Sequence, residues 1–428
     1  MKKYTGKKIL VLAGKPIGSM DIVEYAQFNG AYTIVTDNLS VSQSPAKTLA
    51  DEIWDISTAE VEVLSEKIKE HKIDAVFTGV HEFNIWRNID ISESTALPFY
   101  ATREQMFLTS IKNKYKQLFK TFGIPVIDEY RLREEFFEDD LRQVEYPVLI
   151  KPVDGSGGYG ISICYDEAEL RSGFEKAISF SKTKQVLVEK YVIAKEVTIF
   201  YILQGGKIML SAMADRHTEN GDKYTIPLPV LYTFPSVHLS AFQSSYNQKM
   251  IDAFQSIGLK NGMVFIQAFV DGNEIKPYDI GFRLTGTQEY HILEQLCGYN
   301  PLKMMVDYAF TVKMGNEDIS SLVDPAFGGK YAFNITFLVK PCVIGKFMGL
   351  EEVTSMKGII KVIKNHREGD EIPSTAIGTL NQVALRILGT ADSKEGMKKL
   401  IRLITDTIDI ESAEGESVLL PIINIEEI

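Results

Sequence analysis

Leu149-Ile150-Lys151-Pro152-Val153-Asp154-Gly155-Ser156-Gly157-Gly158-Tyr159-Gly160-Ile161 is the stretch whose reading decides the fold. An apolar strand delivers a lysine. Four glycines within the six residues 155–160 then form a flexible turn, and a second strand leaves it over 161–164. Glycine lets backbone N–H groups turn inward and approach phosphate oxygens with no Cβ in the way. Lys151 adds a positive charge at the base of the turn. The P-loop pattern G-x-x-x-x-G-K-[ST] is absent, so this is a phosphate cradle of another kind or a plain Gly-rich hairpin.

The flanking sequence supports the first of these. Residues 166–170 begin a helix, and 186–192 run as a strand into a polar end. Glu196 follows Glu189 by seven residues and opens another strand over 196–203. Chain leaving a strand offers backbone groups to the edge of a purine, and a carboxylate beside it can accept from ribose hydroxyls. Upstream, Thr102 and Gln105 form a capping box for a helix that carries Lys114 and runs to about Phe122, stopped by Gly123 and Pro125. Downstream, Gln204-Gly205-Gly206-Lys207 reads as a hairpin turn into a strand over 208–214, and 240–258 reads as helix. Arg216 and His217 are read as loop residues beyond Asp215. A second hairpin turns at 271–273. Asp279, Gly281 and Arg283 alternate along its outgoing strand and so project from one face. A hairpin loop of odd length sets Gln267 on that face too.

The order and spacing of these features resemble the ATP-grasp superfamily, over nearly the whole chain, with the diagnostic motifs confined to 114–286. The resemblance implies that Lys114 and Lys151 contact ATP phosphates and that Gly155, Ser156, Gly157 and Gly158 close over them. It implies that Glu189, Lys190 and Val192 hold the adenine, mainly by backbone, and that Glu196 holds the ribose. Gln267 and Asp279 are the implied metal ligands for Mg²⁺, a hard cation that favours oxygen donors. Arg283, with Lys151, is the implied catalytic residue. Where the family usually carries Glu, Asn and Arg at alternate positions, this chain has Asp279, Gly281 and Arg283; the missing Asn thins the metal site.

The expected fold class is α/β: an N-terminal Rossmann-like domain (1–111), a two-lobed ATP-grasp domain (112–315) and a small C-terminal α/β domain (316–428). In the first, apolar runs at 9–13, 32–36, 53–56 and 74–78 alternate with helical patterns, as in a parallel sheet covered on both faces. Gly14 and Gly18 follow the first run, but the G-x-G-x-x-G pattern is incomplete and structural glycines are the better reading. His81-Glu82 faces the cleft or caps the next helix.

The implied activity is ATP-dependent ligation of a small carboxylate to an amine through an acyl phosphate. A bicarbonate-activating subunit and an ATP-binding protein without turnover are the alternatives. The 428 residues carry a net charge of -11, against a nucleic-acid-coating role. Three scattered cysteines suggest neither a disulfide framework nor a zinc site. The first apolar run is too short for a signal-peptide core and none reaches membrane-spanning length, so a cytoplasmic protein with small-molecule partners is expected. A homodimer is the base-rate assembly.

Overall fold

The computed structural model describes residues 2–133, 136, 138–155, 158–219, 225–272, 274–422, 425 and 428. Strands β1 (Lys8–Leu12), β2 (Tyr32–Thr36), β3 (Glu52–Trp54) and β4 (Ala75–Phe77) form a parallel sheet in the order β3-β2-β1-β4. Alternation along β1 explains its two covered faces. Leu10 and Leu12 pack with Leu64 and Ile68 of the helix Val61–Glu70, while Ile9 and Val11 pack with Ile22 and Val23 of the helix Gly18–Phe28.

A second, antiparallel sheet contains β5 (Glu129–Tyr130), β6 (Val148–Pro152), β7 (Ser162–Cys164) and β8 (Val186–Lys190), in the order β5-β8-β6-β7. The same period-two rule sorts its chemistry. Val148, Ile150 and Val188 pack against Leu170, Phe174 and Ala177 of the helix Glu167–Phe180. Lys151 and Glu189 therefore point to the other face.

The third sheet is the largest. It takes in β9 (Lys195–Gln204), β10 (Lys207–Glu219), β11 (Leu228–Phe234), β12 (Gly262–Asp271), β13 (Glu274–Gly281) and β14 (Tyr331–Leu338). After β15 (Cys342–Met348) come β16 (Ile359–Lys364), β17 (Glu371–Ile372), β18 (Val383–Ala391) and β19 (Asp409–Ser412). The eight-stranded order is β13-β12-β9-β10-β11-β14-β18-β16, antiparallel throughout; β17-β15-β19 form a small separate sheet. The β11–β14 pair carries the large sheet across position 315.

Both hairpins fall where the sequence places them. Gly205 and Gly206 turn with φ of 58° and 89°, as a two-residue hairpin loop of the primed kind requires. Asn273 lies outside the described residues. Three expectations are corrected. The capping box at Thr102 and Gln105 is present, but its helix is Arg103–Ser110; Ile111 is extended (φ -86°, ψ 118°) and a new helix runs Lys112–Thr121. The 240–258 segment is likewise two helices, Leu239–Ser245 and Asn247–Ser256, meeting at a non-helical Tyr246. Finally, β10 continues to Glu219, so Arg216 and His217 are strand residues, both paired to β11.

Candidate active site

The break at Ile111 aims the second helix. Its buried positions are Lys112, Tyr115, Lys116 and Phe119, one stripe at helical spacing. Lys112 donates through Nζ to the Gly155 carbonyl, and its backbone N–H donates to the Val153 carbonyl at 3.3 Å, so the helix start is tied to the glycine loop. Tyr115 donates to the Tyr278 carbonyl at 2.7 Å, tying the same helix to β13. Lys116 pairs with Glu189 Oε1 and, at 2.6 Å, with Glu129. Lys151 completes the cluster from β6, its Nζ 2.6 Å from Glu189 Oε2. Lys151 and Glu189 meet because they are diagonal neighbours: Lys151 lies opposite Leu187, and Glu189 opposite Leu149.

Glu189 thus sits buried between two ammonium groups. Burial pushes its carboxyl up, but Lys151 and Lys116 outweigh that and hold it below the ordinary range. Burial pulls the Lys112 ammonium down, against the attraction of Asp279. Lys114, by contrast, is exposed, its Nζ 5.4 Å from the centre of the Phe107 ring. Two residues are about 200° of helix, so it points away from the stripe that holds Lys112 and Lys116. Lys112 and Lys116, and not Lys114, are the lysines this helix turns toward the glycine loop and Glu189.

The loop itself is pinned at its entry. Asp154 accepts from Ser181 Oγ at 2.7 Å and from the backbone N–H groups of Lys182 and Thr183, each at 3.0 Å. A Cβ at Gly155 would lie 3.1 Å from Pro152, and one at Gly160 would lie 2.8 Å from both Pro152 and Phe180. Gly158, at φ 83°, has open space around it. Ser156 and Gly157 lie outside the described residues. Lys190 is exposed, 3.6 Å from Glu145, with its N–H on the Asp128 carbonyl at 3.0 Å; Val192 is half-buried at the strand exit. Glu196 is already engaged: its Oε2 accepts from Arg216 and, at 2.6 Å, from Tyr278.

Gln267 of β12 lies directly opposite Asp279 of β13, and opposite Thr198 of β9 on its other side. One amide oxygen and one carboxylate on one face are a donor set suited to a hard cation shared with phosphate oxygens. Among the described residues no three His, Cys, Asp or Glu side chains form a ready cage. Two residue pairs further along, and so on the same face, Gly281 lies opposite Phe265, and a Cβ on Gly281 would fall 2.2 Å from the Phe265 ring. No side chain fits there while Phe265 is present. The ring has a second use: the Arg283 guanidinium lies over it at 4.8 Å. Arg283 also donates to the Leu284 carbonyl at 2.9 Å, and its buried Nε has no hydrogen-bond partner.

Glu82, the first residue of the helix Glu82–Thr95, brings the N-terminal region into this site. Burial raises its carboxyl pKa against the pull of Arg283, and Asp279 raises it further. Burial and Arg283 both lower His81. Lys112, Lys151, Glu189, Asp279, Arg283 and Glu82 therefore share one electrostatic neighbourhood. The sequence reading missed Lys112, Lys116 and Phe265. The i, i+4 spacing of Lys112 and Lys116 alongside Tyr115 and Phe119 was the signal available for the first two.

With this geometry in view, residues 112–204 match the family model for the carbamoyl-phosphate synthase L chain, ATP binding domain. The segment is an ATP-binding domain of the ATP-grasp kind. The chain is 24% identical over 302 residues to the carbamoyl phosphate synthase large chain of Clostridium beijerinckii, covering 66% of this chain and 27% of that one. It is 24% identical over 298 residues to the formate-dependent phosphoribosylglycinamide formyltransferase of Sulfurisphaera tokodaii, covering 64% and 71%. Among solved structures, the fold matches the L-amino acid ligase of Bacillus licheniformis (TM-score 0.75, 18% identity, 95% and 99% covered). It also matches the biotin carboxylase domain of the Hydrogenobacter thermophilus 2-oxoglutarate carboxylase (TM-score 0.76, 18% identity, 96% and 91% covered). The mixed α/β fold is that of the ATP-grasp ligases, as the motif order led one to expect. No helix among the described residues is long and apolar enough to cross a membrane.

Proposed function

We propose that this protein is an ATP-dependent ligase that activates a small carboxylate as an acyl phosphate for attack by an amine. The observation that carries the reading is a cluster of three buried lysines, Lys112 on the Gly155 carbonyl of the glycine loop and Lys116 and Lys151 on Glu189, with Asp279 in electrostatic reach of Lys112. A free carboxylate is a poor electrophile, since its leaving group would be oxide. Transfer of the γ-phosphoryl group makes phosphate the leaving group. The protein's share of that transfer is positioning and charge neutralisation. Lys112 and Lys151 sit where phosphate oxygens would approach the loop, and binding a triphosphate would draw Lys151 from Glu189. Arg283, held over the Phe265 ring with Nε unpaired, presents fixed positive charge to the acid and to the oxyanion that forms on transfer. Gln267 and Asp279 would hold Mg²⁺, which supplies neutralisation of the triphosphate. The division into domains at 111/112, cytoplasmic residence and a homodimer belong to the same reading.

A second reading, nucleotide binding without turnover, is favoured by Phe265 filling the space beside Gly281. One assay separates them. The chain is incubated with ATP, Mg²⁺, hydroxylamine and pools of small acids, and ADP and hydroxamate are measured. Hydroxamate dependent on a particular acid supports the ligase; turnover dependent on bicarbonate would indicate a carboxylase-type subunit; ATP binding with no stimulated turnover would support the second reading. In the same preparation Lys112→Ala should weaken ATP binding tenfold or more and Lys114→Ala less than twofold. Equal effects would overturn the placement of the phosphates.

A further inference from the structure

Gln267 brings an amide to a place where a carboxylate would be the simpler ligand. Either oxygen of a carboxylate can face a cation. A carboxamide offers one oxygen and one NH₂, and only the oxygen is a ligand. Gln267 must therefore be held one way round, and the groups able to hold it are set by the strands beside it. Along β12 its side chain shares a face with Phe265 and Phe269, neither of which carries an oxygen or nitrogen acceptor. Across to β13 its direct partner is Asp279, and across to β9 it is Thr198. Directly opposed residues have Cβ atoms about 4.5–5.5 Å apart, close enough for their side chains to share a hydrogen bond.

Left to itself, the amide would turn the wrong way. Asp279 is the charged acceptor, so it draws the Gln267 NH₂ toward itself and into the space that a shared cation needs. Glu196, diagonal to Gln267 on β9, is already engaged by Arg216 and Tyr278. A bulge secures that engagement: the β12–β13 register passes from Asp279 to Pro277, and Tyr278 turns its ring against Phe269 at 4.6 Å. Thr198 is the remaining acceptor. It is 2% exposed, and among the described residues its Oγ1 is buried with no hydrogen-bond partner. A valine of nearly the same shape would leave no polar atom unpaired, so the hydroxyl is destabilising unless something uses it. On β10 Thr198 lies opposite Ala214, which cannot. On β12 it lies opposite Gln267, which can.

We propose that Thr198 is a positioning residue for the cation site: its hydroxyl accepts from the Gln267 NH₂, which turns Oε1 toward Asp279 and leaves amide oxygen and carboxylate together for a divalent cation. The device is one row across three strands, with Thr198 on β9, Gln267 on β12 and Asp279 on β13. Thr198 acts through Gln267 and is not itself a ligand. The proposal rests on the assignment of Gln267 and Asp279 to the cation, and its test separates the two.

Calorimetric titration of the full chain with a non-hydrolysable ATP analogue tests it, once with saturating Mn²⁺, which takes the same oxygen donors as Mg²⁺, and once in EDTA. The ratio of the two affinities is the metal's contribution, and binding of Mn²⁺ to the free analogue is the same for every variant. Groups that orient a metal ligand typically change metal affinity about 10–100-fold. Thr198→Val should therefore lower the ratio about tenfold, while Thr198→Ser, which keeps the hydroxyl, stays within twofold of wild type. In a Gln267→Glu chain the same Thr198→Val change should lower the ratio less than twofold, because two equivalent oxygens leave nothing to orient. A cooperative thermal transition certifies that each variant is folded, and Thr198→Ala replaces Thr198→Val if it is not. Equal losses in the Gln267 and Gln267→Glu chains would mean a merely structural threonine and overturn the proposal, as would no loss in either. A ratio that falls with Asp279→Asn but ignores Thr198→Val overturns the proposal and leaves the cation site standing. A ratio that ignores Asp279→Asn, or no gain from Mn²⁺ in wild type, strikes the cation assignment, and the proposal falls with it.

Discussion

Glu189 holds the electrostatic balance of the cleft, because two buried lysines depend on one carboxylate. Replacing it by glutamine would leave Lys116 with Glu129 alone and Lys151 with no counter-ion. Breaking a buried pair in this way costs about 3–5 kcal/mol. The pH dependence follows from the sign of the shift. The carboxyl titrates below its ordinary value of 4.5 in the folded chain. Its contribution is therefore fully present above that value and is lost as pH falls through the folded pKa. Denaturant unfolding of wild type and Glu189→Gln should differ by that amount at neutral pH and converge in acid; a gap independent of pH would refute the assignment. Residue by residue, what could be read was local. The glycine loop and Lys151 are adjacent in sequence and were legible. Position ahead of the Gly123–Pro125 turn does not separate Lys114 from Lys112 and Lys116; the face of the helix does. A bond such as that of Arg386 to Thr336 could not be read at all, since it depends on strand pairing between residues 50 apart.

Elements were read well where their signals are chemical. Glycine pairs fixed one hairpin, and alternation fixed the register that sets Gln267 against Asp279. The break at Ile111 escaped because neither glycine nor proline marks it; the tertiary bonds from Lys112 to the loop impose it. The β12–β13 hairpin explains the departure from the family pattern. Gly281 is there because Phe265 occupies the space of its side chain. Gly281→Asn should then destabilise the chain by about 1–3 kcal/mol through overpacking. Phe265→Ala in the same chain should relieve most of that loss. A double-mutant cycle on melting temperatures measures the coupling, and additive effects would contradict it.

At the scale of the molecule, the expectation of three successive units meets a sheet that ignores one of the boundaries. β14, β16 and β18 come from the last third of the chain and extend the sheet that holds Glu196, Gln267 and Asp279. Composition and spacing could suggest a tail of mixed α and β, but pairing between distant strands is set by register, which a linear reading does not contain. Removing residues 316–428 would uncover β11, with Leu231 and Phe234 now fully buried, as an open apolar edge. A chain ending at 315 should aggregate on size-exclusion chromatography; a monodisperse, ATP-binding fragment would refute this. The same seam has a use. Fragments 1–315 and 316–428 bear matching edges along β11 and β14, so the two, made together as separate polypeptides, would find each other by strand addition. On the ligase reading proposed above, hydroxamate formation would then report their encounter: the molecule is ready-made for splitting, with its cut already drawn by hydrogen bonds.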